Sequence, residues 1–185
     1  YTSPGGAGLY TALAAVKCGA DVTLLAPLPN PMPEELTQAA ALVNWIGPTI
    51  TPAELPVFHI IQEQGKTIYT KTFFGAEESL KTDVLPSNLS EFDLVHVAPL
   101  GDTARQCHFI NACRDRNAKI ISAGTGMPLI KNNLEKISAV IQSVDLFFMN
   151  EEEAHLIFPD TKHIKTSTGK VLFVTKGPKG TSVYI

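Results

Sequence analysis

The sequence has little cysteine, few aromatic residues and no long apolar run. Its three cysteines are Cys18, Cys107 and Cys113. The number is odd and no two form a Cys-x-x-Cys pair, which argues against a disulfide framework or a zinc site. A reducing, cytoplasmic compartment is the expectation. No stretch approaches the roughly 20 apolar residues of a membrane helix. Basic runs are absent too: 15 Lys and Arg are scattered among 18 Asp and Glu, for a net charge of −3. A nucleic-acid partner is therefore not expected. Neither a Gly-Lys-Ser/Thr phosphate loop nor a Gly-x-Gly-x-x-Gly dinucleotide fingerprint occurs. The histidines show no metal-ligand spacing, and His96, inside an apolar strand, reads as a core or cleft-wall residue.

What is present is a globular composition, 44% hydrophobic and 18% charged over 185 residues. That length suits one domain with a sizeable core. The chain opens at Tyr1 without an initiator Met and closes at Ile185 in a strand-like run, so both ends are expected to be cut.

Ala7 to Lys17 reads as a helix rich in small residues, stopped near Gly19. Asp21 to Ala26 reads as a strand, followed by a proline-rich loop and a helix over Glu34 to Trp45. Val57 to Ile61 and Thr67 to Phe73 flank Gln64-Gly65 and predict a β-hairpin. Beyond Pro86, strands at Leu94–Ala98, Lys119–Ser122 and Val144–Met149 alternate with helices. These are Thr103–Arg116, one marked by Ile130, Leu134, Ile137 and Ile141, and Glu151–Ile157. The Thr103–Arg116 helix carries Gln106, Phe109, Ile110 and Cys113 on one face, so Cys113 reads as core. Val171–Thr175 and Thr181–Ile185 are the last strands. Apolar strands alternating with amphipathic helices predict an α/β fold with a mostly parallel sheet covered on both faces. Ligands in such folds bind beyond the carboxyl ends of the strands.

Four places could carry chemistry, and each has a plain structural alternative. Gly5-Gly6-Ala7-Gly8 opens a helix, so it can bring backbone N–H groups to a ligand or simply make a tight turn. Asn150-Glu151-Glu152-Glu153 can cap a helix or supply the one or two carboxylates that magnesium prefers. Thr175-Lys176-Gly177-Pro178-Lys179-Gly180 can be a hairpin turn or a nucleotide contact. Ser122-Ala123-Gly124-Thr125-Gly126 can border a ligand or merely pack.

The order of these elements resembles the PfkB (ribokinase-like) carbohydrate kinase family. Gly5-Gly6-Ala7-Gly8-Leu9-Tyr10-Thr11-Ala12 is similar to the family's amino-terminal signature, which holds the sugar or nucleoside. By that match Gly5, Gly6 and Tyr10 would touch the substrate, with Tyr10 standing where many members have Asn. Asn150 through Glu153 resembles the N-x-x-E element, so Asn150 would serve the phosphates and Glu153 the Mg2+. Val174 through Gly180 looks like the T-x-G-x-x-G loop, which implies ATP contacts at Thr175, Gly177 and Gly180. The hairpin within residues 50–75 falls where the family has a small β lid, which in several members forms a dimer interface.

The resemblance implies a three-layer α/β/α fold with a mostly parallel central sheet. It implies an ATP- and Mg2+-dependent phosphotransferase acting on a hydroxymethyl group of a sugar or nucleoside-like molecule. The family's Gly-Ala-Gly-Asp segment, source of its catalytic base, does not occur in these residues and is expected after Ile185. Without a base and its neighbouring backbone donors the segment alone would be nearly inert. The alternatives are a PfkB-like ligand-binding or regulatory module without catalysis, and an unrelated α/β enzyme such as a dehydrogenase. The missing dinucleotide fingerprint argues against the latter.

Overall fold

The computed structural model describes residues 3–63, 66–161 and 163–185. They form two compact units, Tyr1–Val84 and Leu85–Ile185.

The first unit begins with helix α1 (Ala7–Lys17), as its alanine-rich sequence predicts. Gly19 ends it at φ 89°. Ala20 N donates to Ala15 O (3.1 Å) and Gly19 N to Val16 O (2.9 Å), the paired bonds with which a left-handed glycine closes a helix. Strand β1 (Thr23–Leu25), strand β2 (Leu28–Pro29) and helix α2 (Glu34–Ala40) follow, then strands β3 (Asn44–Ile46) and β4 (Thr49–Ile50). β1 pairs parallel with β3, and β2 pairs parallel with β4.

The helix expected over Glu34–Trp45 therefore ends early. Asn44, Trp45 and Ile46 lie opposite Thr23, Leu24 and Leu25, and Trp45 Nε1 donates to Ala26 O at 3.3 Å. Pairing with a strand some twenty residues away overrides the local helical pattern. Gly47 makes the approach possible: a Cβ there would stand 2.1 Å from Ala26 O. The predicted hairpin forms from β5 (Val57–Glu63) and β6 (Lys66–Phe73), antiparallel with an irregularity between His59 and Ile60. The turn residues Gln64 and Gly65 lie outside the described residues.

The second unit alternates strand and helix: β7 (Val95–Val97), α3 (Thr103–Asp115), β8 (Ile121–Gly124), α4 (Met127–Asn132) and α5 (Leu134–Ser143). β9 (Leu146–Asn150), α6 (Glu151–Ile157), β10 (Val171–Thr175) and β11 (Thr181–Tyr184) complete it. The strands lie in the order β11-β10-β9-β8-β7. β7 to β10 run parallel and β11 antiparallel. This is the mostly parallel α/β sheet that the apolar strands predicted.

The single helix expected through Ile130 and Ile141 is two. Asn133 takes an extended conformation between them, and its side chain accepts from Lys136 N at 3.0 Å, capping α5. Leu134, expected on the buried stripe, is 44% exposed as a result. The β8 strand also starts two residues later than expected.

Along β8, β9 and β10 the residues Ala123, Phe147, Met149, Leu172 and Val174 are buried, as are Phe109, Ile110 and Cys113 of α3 and Ile137 and Val140 of α5. α3 packs on α5, and α5 on α4 and α6, so within this unit the helices form one layer. On the alternate strand positions Phe148 and Phe173 stack with ring centroids 4.6 Å apart, and His96 meets Phe148 edge-on at 6.1 Å. His96 Nδ1 lies 2.9 Å from Ser122 Oγ, and burial lowers the His96 pKa. Asp145 secures the amino ends of the strands, its Oδ2 accepting from Ile121 N (2.7 Å) and Arg114 Nη2 (3.0 Å). Cys113 is core as expected, its thiol pushed by burial to a pKa of about 11.

Candidate functional site

Parallel strands direct their carboxyl ends to one edge of the second unit, and the residues expected to bind nucleotide gather there. Asn150 ends β9 and Thr175 ends β10, and the two are register partners. The Thr175 hydroxyl donates to Met149 O at 3.4 Å.

Asn150 is also the N-cap of α6. Its Oδ1 accepts from Glu153 N, while Asn150 N donates to Glu153 Oε2, both at 2.8 Å. This reciprocal capping box satisfies two backbone donors at the helix start. Glu153 is 6% exposed. Burial raises its pKa; the bond from the Asn150 backbone opposes this and the Glu152 charge adds to it.

Gly177 and Gly180 lie in the turn from β10 to β11, closed by Lys176 N donating to Gly180 O at 2.8 Å. Gly180 has φ 87° and ψ −146°, a conformation essentially limited to glycine. No atom lies within 4 Å of a Cβ built at Gly177 or Gly180, so the turn presents bare, open backbone. Lys176 and Lys179 add positive charge to it.

Among the described residues no group of three His, Cys, Asp or Glu side chains is placed to hold a metal. One carboxylate beside an amide does not make a cage. It does suit Mg2+, which keeps several waters and takes the rest of its shell from phosphate oxygens.

Gly5, Gly6 and Tyr10 form their own cluster in the first unit. Gly6 is the N-cap of α1 with φ 98° and ψ 145°, and has no side chain with which to cap the helix. The first-turn N–H groups are thus left for other acceptors. Tyr10 folds back over the turn, its hydroxyl donating to Pro4 O at 3.0 Å. A Cβ on Gly5 would lie 3.7 Å from that hydroxyl, and Tyr10 remains 59% exposed.

The fourth loop shrinks. Ser122 and Ala123 are buried within β8 rather than bordering a ligand. Only Gly124, Thr125 and Gly126 lie at the strand end. A residue that the sequence marked only as core belongs to this edge as well. Gln106 Nε2 donates to Val97 O (3.2 Å) and Gly124 O (2.8 Å) across the ends of β7 and β8. The available signal was an amide in an otherwise apolar helical stripe.

No protein-family model matches the sequence, and no curated protein does. Solved structures do match. An uncharacterized sugar kinase from Pyrococcus horikoshii superposes with TM-score 0.71 at 14% identity, over 99% of this chain and 67% of that one. The Methanocaldococcus jannaschii nucleoside kinase, an archaeal member of the ribokinase family, gives 0.69 at 22%, over 97% and 61%. A candidate ribokinase II from E. coli in complex with ATP and Mg2+ gives 0.68 at 15%, over 98% and 65%. The chain spans less than two thirds of the length of the latter two. At these identities the likeness establishes the fold: this chain has the ribokinase-like α/β architecture found in sugar and nucleoside kinases.

Proposed function

We propose that the protein is an ATP- and Mg2+-dependent phosphotransferase that phosphorylates a hydroxymethyl group of a sugar or nucleoside-like small molecule in the cytoplasm. The observation that carries this is the register of Asn150 beside Thr175, with Glu153 in the first turn above and the open Gly177–Gly180 turn at the same sheet edge. In a ribokinase-like fold that edge is where a nucleotide is expected.

In this reading Thr175, Gly177 and Gly180 hold ATP, with the glycines leaving room for phosphate or ribose. Asn150 and Glu153 orient the phosphates and the waters around Mg2+. The metal, when bound, neutralises charge developing on the transferred phosphoryl group. Gly5, Gly6 and Tyr10 hold the acceptor, and Tyr10 braces the turn through Pro4 O. No Gly-Ala-Gly-Asp occurs among these residues, and none of them is proposed as the base that takes the acceptor's proton. Residues 1–185 alone should be nearly inactive.

One observation favours a second reading, a ligand-binding module without catalysis. Asn150 and Glu153 already satisfy each other as a helix cap and need no metal to explain them. ATP turnover by the full-length protein over a panel of sugars and nucleosides decides. Phosphorylation of at least one acceptor is expected, and ATP binding without turnover on any would leave the second reading.

A further inference from the structure

We infer that Gln106 is a positioning residue whose side-chain amide clamps the carboxyl ends of β7 and β8 and thereby sets the loops 98–101 and 124–126. Its importance to catalysis rests on the kinase reading above; the clamp itself does not.

The β7–β8 pairing ends at Val97 and Ala123. Beyond that point the strands part into loops, and their last carbonyls need donors from elsewhere. One amide supplies both, since Gln106 Nε2 carries two hydrogens and donates to Val97 O and Gly124 O at 3.2 and 2.8 Å. Reversing the amide would set Oε1 against two carbonyl oxygens, acceptor against acceptor, so the hydrogen-bond network selects this orientation.

Packing alone does not call for glutamine here. Gln106 is 0% exposed and shares its helical stripe with Phe109, Ile110 and Cys113. A leucine or methionine would fill that place with no amide to desolvate. The side chain even carries a cost, because Gln106 Oε1 is buried with no hydrogen-bond partner among the described residues. What glutamine offers and an apolar residue lacks is the pair of donors aimed at the parting strands.

The clamp is tied to its surroundings on both sides. The Asp102 side chain accepts from Ala104 N (3.1 Å) and Arg105 N (3.4 Å), and Asp102 O accepts from Gln106 N (3.0 Å). The loop leaving β7 and the start of α3 are thereby joined. On the other side, a Cβ built on Gly124 would meet Phe148 O at 3.8 Å and Pro99 Cδ at 4.0 Å. Gly124 thus sits between the loop after β7 and strand β9, opposite Phe148, which lies two residues before Asn150.

The test compares Gln106→Met, similar in length but without donors, with the unaltered full-length protein. Amide exchange at Leu100, Gly101, Gly124, Thr125 and Gly126 should quicken by about tenfold or more, while Phe147 and Ala154 stay nearly unchanged. In a protein that turns over ATP, KM for ATP should rise roughly tenfold with kcat within about twofold, since the loops lie at the nucleotide edge of the kinase reading and do not react. Exchange that rises evenly through the second unit, or not at all in these loops, overturns the clamp. Should Gln106→Met fail to fold, the unaltered protein still decides. The Gln106 side-chain amide protons should exchange about 100-fold more slowly than those of an exposed glutamine, and fast exchange overturns the proposal. Absence of ATP turnover by the unaltered protein would sink the kinase reading alone, because the exchange results judge the clamp by themselves.

Discussion

At Glu153 a capping role and a metal role fall on one carboxylate, and a single substitution separates them. Glutamine at the third helical position can still accept from the Asn150 N–H. Glu153→Gln should therefore keep the fold within about 0.5 kcal/mol at mildly acid pH. Mg2+-dependent turnover should fall by roughly 10–100-fold if the carboxylate organises the metal's waters. Unchanged turnover would leave capping as its whole role. Burial raises the Glu153 pKa, so the fold prefers the neutral acid. The associated stability is complete below the ordinary carboxylate pKa and is lost as pH rises through the raised value. A permanently neutral glutamine loses nothing over that window. As pH rises from the ordinary carboxylate pKa through the raised one, the urea midpoint of Glu153→Gln should gain on that of the unaltered protein. Parallel midpoints would show that the carboxylate is better solvated than its burial implies.

Single elements divide into those that local sequence determines and those that distant partners decide. α1 and α6 begin and end where residue chemistry puts them, between a glycine turn and Gly19 in one case and at the Asn150 cap in the other. β3 could not be found that way, since Trp45 leaves the helical pattern only because β1 offers it a strand to pair with. Gln106 was legible as a member of a stripe but not as a clamp, because its two acceptors come from different strands. The residues expected at the strand ends could be placed for the opposite reason: each motif lies on one short stretch of chain, and the parallel register brings Asn150 beside Thr175. The start of α3 is a test at this scale. Asp102 accepts from two first-turn N–H groups, so Asp102→Ala should cost about 0.5–2 kcal/mol in urea unfolding, while Asp102→Asn should cost little. Equal losses in both variants would mean that the carboxylate charge, and not the cap, stabilises the helix.

At the scale of the whole molecule the β5–β6 ribbon poses the remaining demand. Val57, Ile60, Ile61, Ile68, Tyr69 and Phe73 are each between 42% and 56% exposed. They lie in cross-strand pairs, Val57 with Phe73, Ile60 with Tyr69 and Ile61 with Ile68. A two-stranded ribbon is marginal by itself, and an apolar one with open edges favours association. We propose, on the lid resemblance and this exposed apolar surface, that the ribbon joins two copies of the chain. Its test must strip the apolar surface without breaking the ribbon. Replacing Ile61 and Ile68 together, Ile61→Lys with Ile68→Glu, sets opposite charges across the strands, which supports pairing by about 0.2–1 kcal/mol relative to alanines. The full-length protein should sediment as a dimer, and the double variant as a monomer with an unchanged far-ultraviolet spectrum. A dimer that survives the double substitution would place the interface elsewhere, and a monomer in both proteins would leave the ribbon's apolar pairs to cover something other than a second copy.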